Sequence, residues 1–341
     1  MIDKKIFIGG NKMAKALAMI SGGLDSILAA KLIKDQGIEV IGICFKSYFF
    51  SEESAKRMTK QIDIPLEVID FSEEHMNMVK NPKHGWGKNM NPCIDCHAMM
   101  MRYSGKLLEQ FNADFIITGE VLNQRPMSQN RQALNIVKKE SGFADKILRP
   151  LCAKNLDETE MERSGLVDRE KLLNITGRSR KAQMELASKW GITEYPSPAG
   201  GCKLTEPGYA IRLKDSLDNS EFISESEIEL LRYGRHFRVS ENAKIIAART
   251  GDEVKEIKKY IDDSFIAMNA SKYTGALVII QGKPTEKEIE LGARIAARYS
   301  KGRDEEEVEV MYGVYGKKFN DFIKVSPITD EELQQYLIAI K

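Results

Sequence analysis

Several familiar patterns are missing from this chain. No apolar run approaches the roughly 18 residues that a membrane-spanning helix needs, which excludes a helical membrane protein. Lys plus Arg number 51 against 50 Asp plus Glu, a formal net charge of +1. A polyanionic partner would therefore have to be held by local basic patches and not by overall charge. Cysteine is scarce, five residues in all, too few and odd in number for a disulfide framework. No G-x-x-x-x-G-K-[ST] stretch occurs, so a Walker-type phosphate loop is excluded. The beginning of the chain lacks the apolar core and small-residue cleavage site of a secretory signal, and the expected location is cytoplasmic. Residues 1–13 read as a hydrophilic lead in which Met13 is an equally good start.

At 341 residues, 42% of them hydrophobic, the chain has room for two domains with separate cores. The strongest signal lies near its beginning. An apolar run at 14–20 is followed by Ser21-Gly22-Gly23-Leu24-Asp25-Ser26 and then an Ala/Leu-rich helical stretch. Glycines there allow positive φ and close backbone approach, so that successive N–H groups can cradle a pyrophosphate. The helix that follows adds its positive end to the same anion. Asp25 cannot bind phosphate directly, and its expected task is to hold a bridging magnesium ion.

The first half alternates short apolar strands (14–20, 39–45, 66–71, 113–118) with helical segments (26–36, 51–62, 98–111). A fifth short strand is expected at 147–151, ending at Pro150. This pattern predicts a parallel sheet whose ligands sit at the carboxyl ends of the strands, where Ser21, Phe45 and Thr118 fall. Residues 157–173 read as a charged helix, and a second helix runs to Trp190. A rigid Gly/Pro-rich loop at 195–202 closes the domain, and the boundary is expected at Pro207, giving domains 14–206 and 207–341. The second domain reads as α+β: helices at 224–233, 252–263, 286–299 and 331–340, and strands at 276–281 and 308–314.

Asn91-Pro92-Cys93-Ile94-Asp95-Cys96-His97 places a C-x-x-C at the head of a helix, which lowers thiol pKa; Cys202 lies far downstream. Three explanations compete. A structural zinc needs a fourth ligand from His97 or Cys152. A sulfur relay needs one persulfide-carrying thiol and a resolving partner. An iron–sulfur cluster on three cysteines leaves one iron open, and this third explanation is preferred. Cys44 and Cys152 read as core thiols, and Asp95 as a helix-start residue.

The hexapeptide resembles the SGGxDS signature of the PP-loop ATP pyrophosphatases, which cleave ATP to AMP and pyrophosphate and adenylate an oxygen of their substrate. Together with N-P-x-x-x-C and a distant third cysteine, the chain resembles the tRNA uridine thiolases over roughly residues 14–205. Cys93 stands where the 2-thiouridylases commonly have aspartate, as the cluster-dependent thiolases are expected to show. The resemblance implies an α/β, Rossmann-like PP-loop (adenine nucleotide alpha hydrolase-like) domain. It implies nucleotide contacts at Ser21, Gly22, Gly23, Asp25, Ser26 and Phe45, with Thr118, Gly119 and Glu120 in a second turn. Cys93, Cys96 and Cys202 would hold a [4Fe-4S] cluster, and with Asp25 they would be the catalytic set. ATP and Mg²⁺ are the implied cofactors, and tRNA is the implied partner. Without a preceding RNA-binding module or a rhodanese-like domain, sulfur is expected from sulfide or an external persulfide donor. Candidate RNA contacts are Arg125, Arg178, Arg180 and Lys181, and Arg235 in a Gly234–Arg238 cluster that resembles the RNA-binding region of the NFACT proteins. Two alternatives remain: a PP-loop sulfurtransferase or amide synthetase for a small molecule, and an RNA-binding module without turnover.

Overall fold

A computed structural model describes residues 13–197 and 201–340. The lead before Met13 and the Pro198-Ala199-Gly200 part of the Gly/Pro-rich loop lie outside the described residues. The chain divides into two units, Met1–Cys202 and Lys203–Lys341.

In the first unit the order is β1 (Lys15–Met19), α1 (Leu24–Lys34), β2 (Glu39–Lys46), α2 (Glu53–Lys60), β3 (Leu66–Asp70), α3 (Ser72–Lys80), α4 (Cys93–Gln110), β4 (Phe115–Thr118), α5 (Arg131–Glu140), β5 (Ile147–Leu148), α6 (Glu160–Arg163) and α7 (Lys181–Lys189). Five parallel strands lie in the order β3-β2-β1-β4-β5. The chain builds outward from β1 to β3 and then returns to place β4 on the other side of β1. That reversal opens a crevice above the carboxyl ends of β1 and β4, the usual place for a ligand in an open α/β sheet. Strand β1 shows why the sheet is covered on both faces. Ala16 and Ala18 enter the core shared with α1, while Leu17 enters the opposite core with Met101 of α4, as the two-residue period of a strand requires. Small residues on the α1 side let that helix approach closely.

Two expectations change. The charged stretch 157–173 is not one helix: it forms only α6 and a 3₁₀ turn at Arg169–Lys171. Gly165, at φ 73°, breaks the helix, since the left-handed region cannot continue it. The segment then runs irregularly so that Val167 and Leu172 can join the core. Helix α4 begins at Cys93, earlier than the 98–111 stretch, and both cysteines of the C-x-x-C lie in its first turn, at the head of a helix as expected.

The second unit contains α8 (Pro207–Asn219), α9 (Glu225–Leu230), β6 (Arg235–Ser240), β7 (Ala243–Ala247), α10 (Gly251–Ile257), β8 (Ile266–Ala270), β9 (Val278–Gly282), α11 (Glu286–Arg298), β10 (Val308–Val314), β11 (Asp321–Val325) and α12 (Asp330–Tyr336). Its six strands are antiparallel, in the order β11-β10-β8-β9-β7-β6. Helix α11 packs its alanines on one face, close enough that a Cβ on Gly292 would meet Ile280 and Met268 at 2.9 Å. Among the described residues no helix is long and apolar enough to cross a membrane.

Candidate active site

The phosphate cradle forms where the sequence places it. Gly22 takes φ 77°, and its carbonyl accepts a hydrogen bond from Ser54 Oγ at 2.9 Å, which ties the loop to the start of α2. Helix α1 has Gly23 as its N-cap and no side-chain cap, so its first N–H groups are left for an anion. Ser26 Oγ donates to the Gly23 carbonyl at 2.8 Å and steadies the turn. Gly119 closes the cradle from β4: a Cβ there would lie 2.4 Å from the Ser26 nitrogen and 2.6 Å from the Asp25 carbonyl carbon. Only a glycine lets the two strand-end loops meet this closely.

Asp25 carries the cation question. Its Oδ2 accepts from Gln124 Nε2 at 2.7 Å, whereas Oδ1 is buried without a partner. A carboxylate oxygen held out of water and unpaired fits a divalent cation whose remaining ligands are phosphate oxygens and water.

The thiols stand beside this cradle. Cys93 Sγ donates to Asn91 Oδ1 at 3.0 Å. Burial pushes its pKa up, countered in part by Asn91, by the charge of Arg125 and by the Ser128 hydroxyl. Cys96 is raised well above the ordinary thiol value, first by complete burial and then by negative charge on Cys202, Cys93 and Asp95. All three cysteines therefore act within one electrostatic neighbourhood. They do not, however, meet the geometric requirement of a cluster. Among the described residues no three His, Cys, Asp or Glu side chains stand in metal-holding positions. The donors are right in kind but not gathered in this conformation, and no step below is routed through an iron–sulfur centre. Cys44 and Cys152 are buried, and burial pushes them up to about 12 and about 11, which suits core thiols.

Asp95 binds the preceding loop, accepting from His84 N and His84 Nδ1, each at 2.9 Å. Phe45 is a core residue, its ring 5.1 Å from Phe71 and 6.3 Å from Tyr103. Only the backbone of Phe45 lies at the strand end. Arg125 is exposed at the thiol pocket, while Arg178 and Lys181 are exposed at the start of α7. Arg180 is half-buried with its Nε unpartnered. In the second unit Arg235 lies over the Tyr299 ring, 5.0 Å from its centre. His236 and Phe237 are fully buried packing residues, and Arg238 is paired with Asp215 at 2.6 Å.

Three side chains gain partners that the sequence does not reveal; only the place of Glu120, in the second turn, is implied by the resemblance. Buried Glu120, the residue after Gly119, accepts from Arg149 Nε at 2.8 Å and from His97 Nδ1 at 2.9 Å. Burial alone would raise its carboxyl, but the Arg149 charge and the His97 contact overcome this and hold it at about 2. Arg149 and His97 thus fix the second nucleotide turn. The third is Gln183 of α7, fully buried, which donates through Nε2 to Gln124 Oε1 at 2.9 Å. A polar residue between strand and proline was the only sequence signal for Arg149; Gln183 had none.

The fold and this geometry define an α/β unit with a five-stranded parallel sheet and a glycine cradle at its strand ends, followed in the chain by an antiparallel α+β unit. Residues 11–163 match the family model described as thiamine biosynthesis protein (ThiI), and residues 234–337 match that of the NFACT protein RNA binding domain. Both resemblances read from the sequence, the PP-loop thiolase one and the NFACT one, therefore hold. Curated relatives include a tRNA-specific 2-thiouridylase MnmA from Geotalea uraniireducens (strain Rf4). It is 30% identical over 149 residues, covering 37% of this chain and 40% of the relative. The tRNA-specific 2-thiouridylase MnmA 2 of Clostridium botulinum (strain Loch Maree / Type A3) is 32% identical over 197 residues, 53% and 51% of the two chains. The chain thus spans about half or less of these relatives' lengths. Among solved structures, a 4-thiouridine synthetase–RNA complex with bound ATP aligns over 52% of each chain at 18% identity, with a TM-score of 0.35.

Proposed function

We propose that this protein is an ATP-dependent tRNA uridine thiolase. The observation that carries the reading is a single loop, 123–129, that serves both halves of the chemistry. Gln124 binds the carboxylate of the ATP cradle, while its neighbours Arg125 and Ser128 act on the Cys93 thiol. An adenylating site and a thiol pocket side by side are what replacing a carbonyl oxygen by sulfur requires.

In the proposed reaction a uracil carbonyl oxygen attacks the α-phosphorus of ATP and pyrophosphate leaves. The open N–H groups of α1 and the Gly22–Gly23 backbone bind the departing pyrophosphate. When bound at Asp25, magnesium supplies charge neutralisation across the phosphates. Hydrosulfide then attacks the adenylated carbon and AMP leaves with the oxygen, a substitution that needs no oxidant or reductant. Cys93, Cys96 and Cys202 are proposed as the residues that would hold a [4Fe-4S] cluster, as the resemblance implies; such a cluster would supply an open iron for the hydrosulfide, and this is the form to be tested. The target base must leave its stack, which is cheapest in a loop or bend of tRNA.

The proposed RNA contacts are Arg178, Arg180 and Lys181 at the start of α7 and Arg235 over Tyr299. Helix N-termini favour acids, yet α7 has none in its first turn and gathers three cations there. An RNA phosphate relieves that repulsion.

The test is anaerobic incubation of the full chain with ATP, Mg²⁺, sulfide and unfractionated tRNA, followed by nucleoside analysis and by iron and sulfide determination. Thiouridine that requires ATP and Cys93 supports the reading. Pyrophosphate release indifferent to tRNA would replace it with a small-molecule enzyme, and tRNA binding without ATP turnover would replace it with a binding module.

A further inference from the structure

The carboxylate of Asp25 can only accept hydrogen bonds, which fixes everything beyond it. Gln124 must turn its Nε2 toward Asp25 Oδ2 (2.7 Å), so its Oε1 faces away and takes the Nε2 of Gln183 at 2.9 Å. Gln183 in turn must leave its Oε1 outward, and that atom is buried without a partner. The three side chains form one directed line from α7 to the phosphate cradle. Gln183 is fully buried in a helix whose neighbouring Leu186 and Ala187 pack into the α1 core. An apolar residue would fill that position without leaving an amide oxygen unsatisfied, so the glutamine is a cost to folding. One turn earlier, Arg180 carries a buried Nε that also lacks a partner. The open end of the line therefore lies in the same turn as the cations at the start of α7.

We infer that Gln183 and Gln124 are positioning residues that set the Asp25 carboxylate for magnesium, and that through them α7 couples polynucleotide docking to Mg–ATP binding. The Gln124 bond occupies Oδ2 and leaves Oδ1 as the free ligand atom. Anything that steadies α7 steadies that choice, and by reciprocity bound Mg–ATP steadies α7. The coupling rests on the proposed function; the positioning does not.

The experiment titrates Mg²⁺ against binding of a fluorescent ATP analogue to the full chain, comparing wild type with Gln183→Met and Gln124→Met. Methionine keeps length and volume; at position 124 it removes both hydrogen bonds of the line, and at position 183 only the outer one. Loss of an outer partner of a metal ligand commonly weakens metal binding tenfold or more, so the Mg²⁺ midpoint is expected to rise by roughly tenfold in both variants. Binding at saturating Mg²⁺ should return to the wild-type level, which a folding defect would not allow. Adding unfractionated tRNA should lower the wild-type midpoint by roughly fivefold or more and leave that of Gln183→Met unmoved, although Gln183→Met binds tRNA as wild type does. Midpoints within about twofold of wild type in both variants would overturn the positioning role and leave tRNA thiolation standing. If wild type binds no tRNA while the variants still shift, the proposed function and the coupling fall, and the positioning role is supported.

Discussion

Gly119 offers the sharpest test of how the two loops meet. A methyl group added there would sit 2.4 Å from the Ser26 nitrogen and 2.6 Å from both the Asp25 carbonyl carbon and the Ser26 Cα. All three are backbone atoms in the first turn of α1, so no rotamer change relieves the clash. Ordinary contact requires the loops to part by about 1 Å, and overpacking of this kind costs about 1–3 kcal/mol. For a unit of this size that corresponds to roughly 2–12 °C in Tm. Both tryptophans, Trp86 and Trp190, lie in the first unit, so tryptophan fluorescence follows its unfolding alone. Gly23→Ala is the internal control: its nearest atom is Ser21 Oγ at 3.5 Å, and it should unfold near wild type. Gly22→Ala should be at least as damaging as Gly119→Ala, since it combines a 2.6 Å approach to Ser54 Cβ with φ 77°. ATP binding should weaken in the same order, because the displaced atoms are the cradle itself. If Gly119→Ala unfolds with Gly23→Ala, at the wild-type temperature, the close meeting of the two loops is wrong.

Glu120→Gln removes the counter-charge of buried Arg149, and breaking a buried pair costs about 3–5 kcal/mol, measurable by urea unfolding. The wild-type carboxyl is lowered from 4.5 to about 2, so its contribution is present above pH 4.5 and lost as the pH falls toward 2; the variant should lack that acid limb. His75 is fully buried, stacked on Phe71 and lowered by burial from 6.5 to about 4. Its contribution is full above pH 6.5 and lost as the pH falls to about 4, and unfolding of His75→Phe should be flatter across that window. Under native conditions iodoacetamide should label Cys93 and Cys202 ahead of buried Cys44, Cys96 and Cys152, read by peptide mass spectrometry. Arg125→Ala should slow Cys93 labelling by roughly twofold, through loss of the nearby positive charge; an unchanged rate would remove Arg125 from the thiol pocket. Arg178→Glu with Lys181→Glu should weaken tRNA binding and flatten its salt dependence by about one unit of slope for each phosphate no longer neutralised.

The parallel sheet was legible because its interior strands are buried on both faces and separated by helices of a different period. The antiparallel sheet was only half legible, and its hidden strands show why. Strand β11 has largely exposed side chains, so burial leaves no alternation in its sequence. Strand β6 reads Arg-His-Phe-Arg, a basic–aromatic cluster, until folding buries His236 and Phe237 and pairs Arg238 with Asp215. Burial of the pair and the salt bridge belong to tertiary structure and leave no local signature. The 157–173 stretch misleads for the opposite reason: its charge pattern is helical, but a single glycine in the left-handed region overrides it.

At the site, the legible residues are those whose job is done by the backbone. Gly22, Gly23 and Gly119 act through conformation and close approach, and a glycine after a strand announces that in sequence. The residues that orient side chains are silent, because their meaning depends on what the fold brings opposite them. Arg149 matters through Glu120, which comes from the neighbouring strand's loop, and Gln183 through Gln124, from a loop 59 positions away. The cysteines fall between these cases. Their spacing marks the C-x-x-C as a pair, and Cys202, which the sequence offers only through the family resemblance, comes within the electrostatic range of Cys96. Whether the three then close on a common centre depends on thiolate charge. Each thiol raises the cost of ionising the next, so metal binding, which needs them ionised, and gathering would have to occur together. Anaerobic reconstitution with iron and sulfide should accordingly release protons as iron is taken up. Iron uptake without proton release, or with Cys202→Ser indistinguishable from wild type, would show that these thiols do not act as one set.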